Sequence, residues 1–288
     1  MQVKALACEL PYERGIPLSR FSCQEIAGEV VRRGIVAQIS GATVWRWLDE
    51  DAIKPWQHRS WIYPRDPDFE EKAGRVLDLY QGIWEGRSLA ANEYVICSDE
   101  KTSIQARVRV HPTQPARAGQ SMRVEHEYQR GGALAYMAAW DVKEAKVFGQ
   151  CENKSGIAPF ERLVADVMSR EPYRSARRVF WVVDNGSSHR GLPSIERMKN
   201  RWPNTEVVHL PVHASWLNQM EIYFGVVQRK VLTPNDFASL DAVAQRLKEF
   251  ERHYESAAKP FEWKFTREHL SKLLSKLREK AKQSALAA

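Results

Sequence analysis

Three acidic residues stand at places where a folded chain could bring them together. Asp99 ends the apolar run "YVICSD", and Asp184 ends the run "FWVVD". Short apolar runs of this kind are typical of buried strands, and an ionised carboxylate at the end of one is costly unless something compensates its charge. Glu221 lies 37 positions after Asp184, in a segment with helical spacing. The three residues are therefore candidates for one acidic site.

Carboxylates that converge in this way favour hard divalent cations such as Mg²⁺ or Mn²⁺. Two such ions about 3.5–4 Å apart can hold both the attacking and the leaving oxygen of a phosphoryl transfer. Because Asp-Asn-Gly is also a good turn former, each acid taken alone could be an ordinary residue at a strand end. The presence of three acids at three such places favours the metal site.

The segments around these acids alternate between strand and helix patterns. The predicted strands are "EYVICSDEKTSIQARVRV", "ALAYMAAWDV", "AKVFGQCE", "RRVFWVVDNG" and "TEVVHLPV". The predicted helices are "APFERLVADVMSR", "LPSIERMKNRW" and "WLNQMEIYFGVVQRKVL". Their order, β-β-β-α-β-α-β-α, predicts an α/β fold in which helices cover both faces of a mixed sheet.

A different pattern precedes this sheet. Residues 20–50 have the spacing of two short helices around a glycine-containing turn, with Ser22 and Glu25 as a capping box and Ser40 as the second N-cap. This pair is a helix-turn-helix candidate, although any small helical hairpin has the same pattern. In its second helix, Val44, Trp45 and Leu48 are predicted to face inward. The residues predicted to face outward, toward DNA, include Thr43 and Arg46.

The domain boundaries follow from these patterns. Residues 1–65 are predicted to form the helix-turn-helix region and a Pro- and Trp-rich connector, and residues 66–93 a linker with a helix at 69–85. Asp68 is the predicted cap of that helix. Residues 94–288 are predicted to form the catalytic domain with C-terminal helices.

Composition excludes some classes of protein. The chain of 288 residues has 43 Lys and Arg against 36 Asp and Glu, a formal net charge of +7, which is compatible with an anionic partner such as nucleic acid. The four cysteines form no C-x-x-C pair, which argues against a zinc ribbon or a disulfide scaffold. His209 and His213 could share one face of a strand, but no third zinc ligand converges on them. We identify no signal peptide and no membrane-spanning run, and therefore expect a cytoplasmic protein.

Two arginines of the first predicted strand could contact a nucleic acid. Arg107 and Arg109 flank Val108, so both lie on one face of a strand. The alternative is a solvated edge strand that its charges protect from pairing. If DNA is the partner, we expect salt-sensitive binding at these arginines, because neutralising phosphates releases counterions.

Three segments resemble the catalytic blocks of a known family. The segments "CSDEKTSIQAR", "VVDNGSSHRG" and "HASWLNQMEIYFGVVQRK" resemble those of the bacterial insertion-sequence transposases of the IS-six-thirty group, in the Tc/mariner superfamily of DDE transposases. The similarity extends over most of the chain and includes "GGALAYMAAWDV", "LTPNDF" and "PFEWKFTREHL". The block that begins "HASWLNQ" is the most specific of the three.

The resemblance implies a ribonuclease H-like catalytic domain in which Asp99, Asp184 and Glu221 bind two Mg²⁺ or Mn²⁺ ions. In that chemistry Asp99 would bridge both metals, and each of the other two acids would hold one. Family members cut the ends of their own element and join the freed 3′-hydroxyl to target DNA. The expected partner is therefore double-stranded DNA, both as terminal inverted repeats and as target, and the expected location is the bacterial nucleoid.

Further residues are candidates for supporting roles. Glu100 should point to the face of the strand opposite Asp99, as a second-shell or structural residue. Asn185 and His189 could orient a substrate phosphate, although His189 could equally be a surface turn residue. Asn218 could support the helix that carries Glu221.

Three hypotheses for function remain open. Family members commonly carry two helix-turn-helix units, whereas only about 20 residues precede the unit identified here, so "MQVKALACELPYERGIPL" resembles the tail of a longer region. A DNA transposase, acting as a possible homodimer because two ends are joined, is the favoured hypothesis. The alternatives are a truncated regulator that binds element ends without cutting, and a ribonuclease H-like nuclease that acts on another nucleic acid.

Overall fold

The chain folds into two compact units, Met1–Tyr63 and Pro64–Ala288, in a computed structural model. The structure describes residues 1–58, 64–186, 189 and 191–286, with side chains up to residue 279. Part of the predicted connector and part of the second catalytic block lie outside the described residues, at 59–63, 187, 188 and 190.

In its described residues, the first unit contains three helices, α1 (Gln2–Ala7), α2 (Cys23–Arg32) and α3 (Gly41–Glu50), with a short 3-10 turn at Pro11–Arg14. Both predicted N-caps are formed. The Ser22 hydroxyl accepts from the Glu25 backbone N–H while the Glu25 carboxylate accepts from that of Ser22, and the Ser40 hydroxyl accepts from the Thr43 N–H. These caps satisfy backbone donors at the starts of α2 and α3 that have no partner within the helix.

The core of this unit corrects one prediction for α3. Val44 and Leu48 are fully buried, but Trp45 is 49% exposed. Residues four apart on a helix share one narrow stripe, whereas Trp45 lies about 100° round the helix from Val44 and faces solvent. Helix α1 fills the remaining space in the core with the buried side chains of Val3 and Leu6.

The second unit is built on the mixed sheet that the sequence predicts. Within the described residues the sheet has five strands in the order β5-β4-β3-β6-β7. These strands are β3 (Glu93–Val108), β4 (Gln129–Asp141), β5 (Val147–Glu152), β6 (Arg178–Val183) and β7 (Thr205–His209). Strand β3 is antiparallel to β4 and parallel to β6, and β7 extends the parallel side. The apolar run of β6 is buried throughout.

Helices cover both faces of this sheet, as predicted. One face packs against α5 (Ile157–Met168) and α6 (Gly191–Arg201). The opposite face packs against four helices: α4 (Phe69–Tyr80), α7 (Met220–Lys230), α8 (Leu240–Glu255) and α9 (Arg267–Leu286). Burial of apolar side chains in these two layers fixes the sheet between them. Among the described residues, no helix is long and apolar enough to cross a bilayer.

The segment before the sheet differs from its prediction. Helix α4 ends at Tyr80 rather than near residue 85, and a small hairpin follows, with strands β1 (Ile83–Trp84) and β2 (Arg87–Ser88). Gly82 and Gly86 both have positive φ, which glycine adopts readily and which a helix cannot continue through. Asp68 makes no side-chain cap.

A buried carboxylate anchors the start of this unit instead. Asp66 accepts hydrogen bonds from its own segment, at the Asp68 N–H, and from the Val212 N–H beyond β7. The Lys72 ammonium lies 3.0 Å from it. Burial opposes ionisation of Asp66, but these donors together lower its pKa below the ordinary value.

Candidate active site

Two of the predicted acids lie side by side at the edge where the parallel strands end. The last residue pair in the β3–β6 register is Cys97 with Val182. Two residues further along each strand stand Asp99 and Asp184, at equivalent positions. Neighbouring strands lie about 4.8 Å apart, so this register brings the two carboxylates to one place on the sheet.

A buried amide connects the third acid to the first strand. Glu221 is the second residue of α7. The Asn218 side chain donates to the backbone carbonyl of Ser98, at 2.9 Å, and accepts from the N–H of Met220, at 3.1 Å. Because Ser98 precedes Asp99 and Met220 precedes Glu221, this fully buried amide fixes the start of α7 beside the first acid. Asn218 therefore has the supporting contact that the sequence predicts.

The pKa of Asp99 is raised by burial and by the nearby carboxylates. Burial raises it most, and the negative charges of Asp184, Glu100 and Glu221 raise it further, against a lowering hydrogen bond from the Glu100 N–H. The resulting pKa is about 7, compared with an ordinary value of 3.8. A carboxyl group with this environment faces uncompensated negative charge.

Asp184 is held by two donors from the loop that follows β6. Its Oδ1 accepts from the Gly186 N–H at 2.7 Å and from the imidazole Nε2 of His189. The His189 hydrogen bond is the largest cause of the lowered pKa of Asp184, since it stabilises the ionised form. A Cβ at Gly186 would lie 2.9 Å from Asp184 Oδ1 and 3.1 Å from His189 Nε2. The loop therefore needs glycine at this position.

His189 is not a surface turn residue. Its side chain is 1% exposed and packs against the Phe160 ring, with centroids 5.1 Å apart. The His209 imidazole donates to the His189 carbonyl at 2.5 Å. His189, a candidate for orienting substrate phosphate, lies with its imidazole against the Asp184 carboxylate.

Asn185 lies in the loop after β6, and His213 lies beyond the end of β7. The Asn185 amide donates to the Leu210 carbonyl at 2.7 Å and thereby ties the loop after β6 to the end of β7. His213 lies in an exposed turn after β7, with φ of +61°, so it does not share a strand face with His209. The zinc alternative thus lacks the geometry that suggested it.

Glu100 lies on the other face of β3, as predicted, but close to the same site. Burial raises its pKa, the charge of His189 lowers it, and the charge of Asp184 raises it. One carboxylate oxygen of Glu100, Oε2, is buried without a hydrogen-bond partner among the described residues. A fourth acidic side chain therefore adds negative charge beside the three predicted acids.

The donor set fits a hard divalent cation. It consists of carboxylate oxygens, it carries uncompensated negative charge at Asp99, and it contains the orphaned oxygen of Glu100. Among the residues described, no three acidic, histidine or cysteine side chains are already arranged as a metal-binding group.

The predicted DNA-contacting residues fall into two groups. In α3, Thr43 is half-buried and accepts from the exposed Arg46 guanidinium at 3.1 Å. At the end of β3, the guanidinium carbons of Arg107 and of Arg109, which follows the strand, lie 4.7 and 5.6 Å from the centre of the Tyr128 ring, so these two side chains lie on the same side, as predicted.

Arg109 is less available than its sequence position indicates. Its side chain is 7% exposed, and its guanidinium donates to the backbone carbonyls of Glu125 and Asn235. β3 is central in the sheet, but at Arg107 it pairs with β4 on one side only, as the edge-strand alternative expects, and Asn235 covers part of the other side. The structure assigns Arg109 to joining the segments around Glu125 and Asn235, rather than to the exposed role expected from the sequence.

Comparison with known proteins identifies the family. Residues 94–244, slightly more than half of the chain, match the sequence profile described as DDE superfamily endonuclease. This chain belongs to the DDE superfamily of endonucleases. The matched segment contains all three predicted acids. No curated protein matches the chain.

Solved structures of Mos1 show the same fold as this DDE endonuclease. The pre-cleavage Mos1 transpososome is 15% identical, with a TM-score of 0.51 over 99% of this chain and 77% of that chain. The Mos1 mariner paired end complex with Mn is 17% identical, with a TM-score of 0.52 over 96% and 75%. The Mos1 strand transfer complex is 16% identical, with a TM-score of 0.52 over 97% and 74%. The predicted ribonuclease H-like fold is thereby confirmed.

Sequence reasoning missed the contacts that hold the acids in place. The Asp184–His189 hydrogen bond and the close approach of Gly186 were not predicted, although the five-residue spacing of Asp and His was visible in "DNGSSH". The Asp66 anchor was also missed. Its partner Val212 lies 146 positions away, and nothing in the sequence pairs the two residues.

Proposed function

We propose that this DDE endonuclease is the transposase of a bacterial insertion sequence of the IS-six-thirty group. It would cut the ends of its element and join the freed 3′-hydroxyl to target DNA. The family profile, the three catalytic blocks and the fold shared with Mos1 support this proposal. One observation carries it: the β3–β6 register places Asp99 beside Asp184 at the end of the parallel strands, and the buried Asn218 amide ties the start of α7, with Glu221, to β3.

Asp99, Asp184 and Glu221 would hold two Mg²⁺ or Mn²⁺ ions, with Asp99 shared between them. Two of the similar Mos1 structures are described as complexes with Mn and with Mg. When bound, such ions lower the pKa of water and offset the negative charge that phosphoryl transfer develops.

The other residues of the site would position these acids. Asn218 holds the first turn of α7 against β3 and so keeps Glu221 beside Asp99. The Gly186 N–H and the His189 imidazole hold the Asp184 carboxylate in its ionised form. Fixing ligands in advance of binding lowers the cost of ordering them when substrate arrives.

The DNA partner would be held by both units. The first unit would contact the terminal inverted repeat through the outward face of α3, which carries Thr43 and Arg46. The exposed Arg46 guanidinium supports this assignment, since arginine is suited to base edges and phosphates. Because two ends are joined, we expect the active form to be a homodimer that acts at the nucleoid in the cytoplasm.

The test uses a labelled duplex carrying the inverted repeats that flank the coding sequence. Wild type is expected to nick this duplex only with Mg²⁺ or Mn²⁺, whereas Asp99→Asn, Asp184→Asn and Glu221→Gln bind it but do not nick it. Cleavage of an RNA–DNA hybrid in preference to the duplex would favour the general nuclease. Binding without any nicking by wild type would favour the regulator.

A further inference from the structure

A cavity lies beside the part of β3 that extends beyond the end of β6. Strand β6 ends at Val183, but β3 continues to Val108, so the far half of β3 pairs only with β4. Asn235 covers part of the free edge. Its side chain donates to the Gln105 carbonyl at 2.6 Å and accepts from the Arg107 N–H at 3.1 Å. Between this edge and the end of α7 lies a cavity of about 410 Å³.

This cavity continues the candidate active site. Its lining begins with Lys101, two residues after Asp99 on β3. Its opposite wall includes Gln228, seven residues after Glu221 on α7. Residues seven apart lie on the same face of a helix, about 10 Å along its axis. We call the path along β3 and α7 from the acidic residues to the cavity the groove.

The chemistry of the lining is that of an anion site. Among the described residues, no carboxylate lines the cavity, and the side chain of Lys101 has no hydrogen-bond or ion-pair partner. The Nε of Arg107 is buried without a hydrogen-bond partner in the part of the chain that the structure describes. The exposed hydroxyls of Thr102 and Ser103 add donors, and Ser103 has φ of +58° at an irregularity in β3. Two cations without a counter-charge, together with two hydroxyl donors, can bind a phosphate group.

Arg109 does not compete for this role. Its guanidinium donates to the backbone carbonyls of Glu125 and Asn235, and its Nη1 lies 3.9 Å from Asp236 Oδ1. Together with Asn235, it stabilises the wall of the cavity. The two cations available to an anion are therefore Lys101 and Arg107.

We propose that this cavity binds the phosphodiester backbone of the DNA strand next to the phosphate that is cut. The inference rests on the proposed function, because it takes the acidic residues as the place of cutting. Lys101 and Arg107 supply the charge, and Thr102 and Ser103 supply hydrogen bonds to the phosphate oxygens. Such contacts read no base and position the strand along the groove.

The experiment measures binding of a fluorescein-labelled duplex of 30 base pairs and mixed sequence, without divalent metal, at several NaCl concentrations. The test variants are Lys101→Ala and Arg107→Ala, and the matched controls are Lys154→Ala and Arg177→Ala, which change exposed cations outside the cavity. Each test variant is expected to bind about tenfold more weakly and to lower the slope of log affinity against log salt by about 1. The controls should keep the wild-type slope.

Arg107→Lys separates charge from structure. It keeps the cation but loses the planar group that stacks on Tyr128, so a recovered slope supports a phosphate contact and a slope like that of Arg107→Ala overturns it. Equal slopes for test and control variants would also overturn the proposal. Inorganic pyrophosphate provides a further arm: if it raises the melting temperature of wild type while DNA affinity is unchanged in both test variants, the cavity takes a free phosphate instead. If the test variants lose the salt slope but wild type never cuts DNA, the cavity proposal is supported and only the catalytic proposal is refuted.

Discussion

Replacing Asn218 with alanine tests whether one buried amide joins the catalytic strand to the catalytic helix. The change leaves the Ser98 carbonyl and the Met220 N–H without their partner inside the protein. Each buried group left unsatisfied costs about 1–3 kcal/mol, so the free energy of unfolding should fall by about 2–6 kcal/mol. A domain of this kind is stable by about 5–15 kcal/mol, and the variant should therefore still fold at low temperature.

Asn218→Ala should lower the rate of DNA cleavage by more than its loss of stability explains. A shift of about 1 Å in a catalytic group can lower a rate by about 100-fold, and the start of α7 carries Glu221. Nicking of labelled DNA by Asn218→Ala, measured well below its melting temperature, should therefore decrease by about that factor. Urea denaturation of the same preparation supplies the change in stability.

Asn204 provides the matched control. Its amide also makes two hydrogen bonds, to the backbone carbonyls of Tyr173 and Ala176, but away from the acidic residues. Asn204→Ala should lose stability and keep its nicking rate once folded. If Asn218→Ala is folded and cuts at the wild-type rate, the amide does not position Glu221 and the reasoning is refuted.

Two further predictions follow from neighbouring contacts. Gly186→Ala should lower cleavage at least tenfold, because the added Cβ would press on the Asp184 carboxylate, whereas Gly28→Ala, where no atom lies within 4 Å of the added Cβ, should leave cleavage unchanged. Glu251 is half-buried and its carboxylate accepts from the Tyr136 hydroxyl at 2.7 Å, and burial raises its pKa from 4.5 to about 7. The folded state therefore holds this proton more tightly, and stability should fall as pH rises from about 4.5 to 7, by up to about 3 kcal/mol. Glu251→Gln should be more stable than wild type at pH 8 and should lose that part of the pH dependence.

Each of these two predictions can fail clearly. Equal cleavage by the two alanine variants would show that the loop tolerates a side chain beside Asp184. For Glu251, thermal melts at pH 5, 6, 7 and 8 compare the variant with wild type. Parallel curves would mean that Glu251 does not titrate between these values.

The fold could be predicted because its elements have strong local signals. The apolar run of β6, the alternating helix and strand periods, and the caps at Ser22 and Ser40 depend on neighbours in sequence. The exposure of Trp45 could not be predicted in the same way, since helical spacing alone leaves the edge of the apolar stripe undefined. The prediction that α4 extends to residue 85 is wrong, because the positive φ of Gly82 ends the helix.

The sequence predicts the acids of the candidate site and names Asn218 as a possible support, but it does not predict which atoms the supporting residues contact. Strand-end position and the resemblance together indicated Asp99 and Asp184. The partners of Asn218 and Asp66 lie 120 and 146 positions away, where no local pattern connects them. The sequence left open whether His189 contacts substrate or is a surface turn residue, because burial of a loop depends on the helix that packs over it, here through Phe160 of α5.

Manganese binding tests the central claim most directly. Calorimetric titration of Mn²⁺ into wild type should show two ions per chain, and Asp99→Asn, Asp184→Asn and Glu221→Gln should each lose at least one. Glu71→Gln, which changes an exposed acid on α4, should bind as wild type does. If all four variants bind Mn²⁺ with the wild-type stoichiometry and affinity, the three acids do not form the metal site and the account is contradicted.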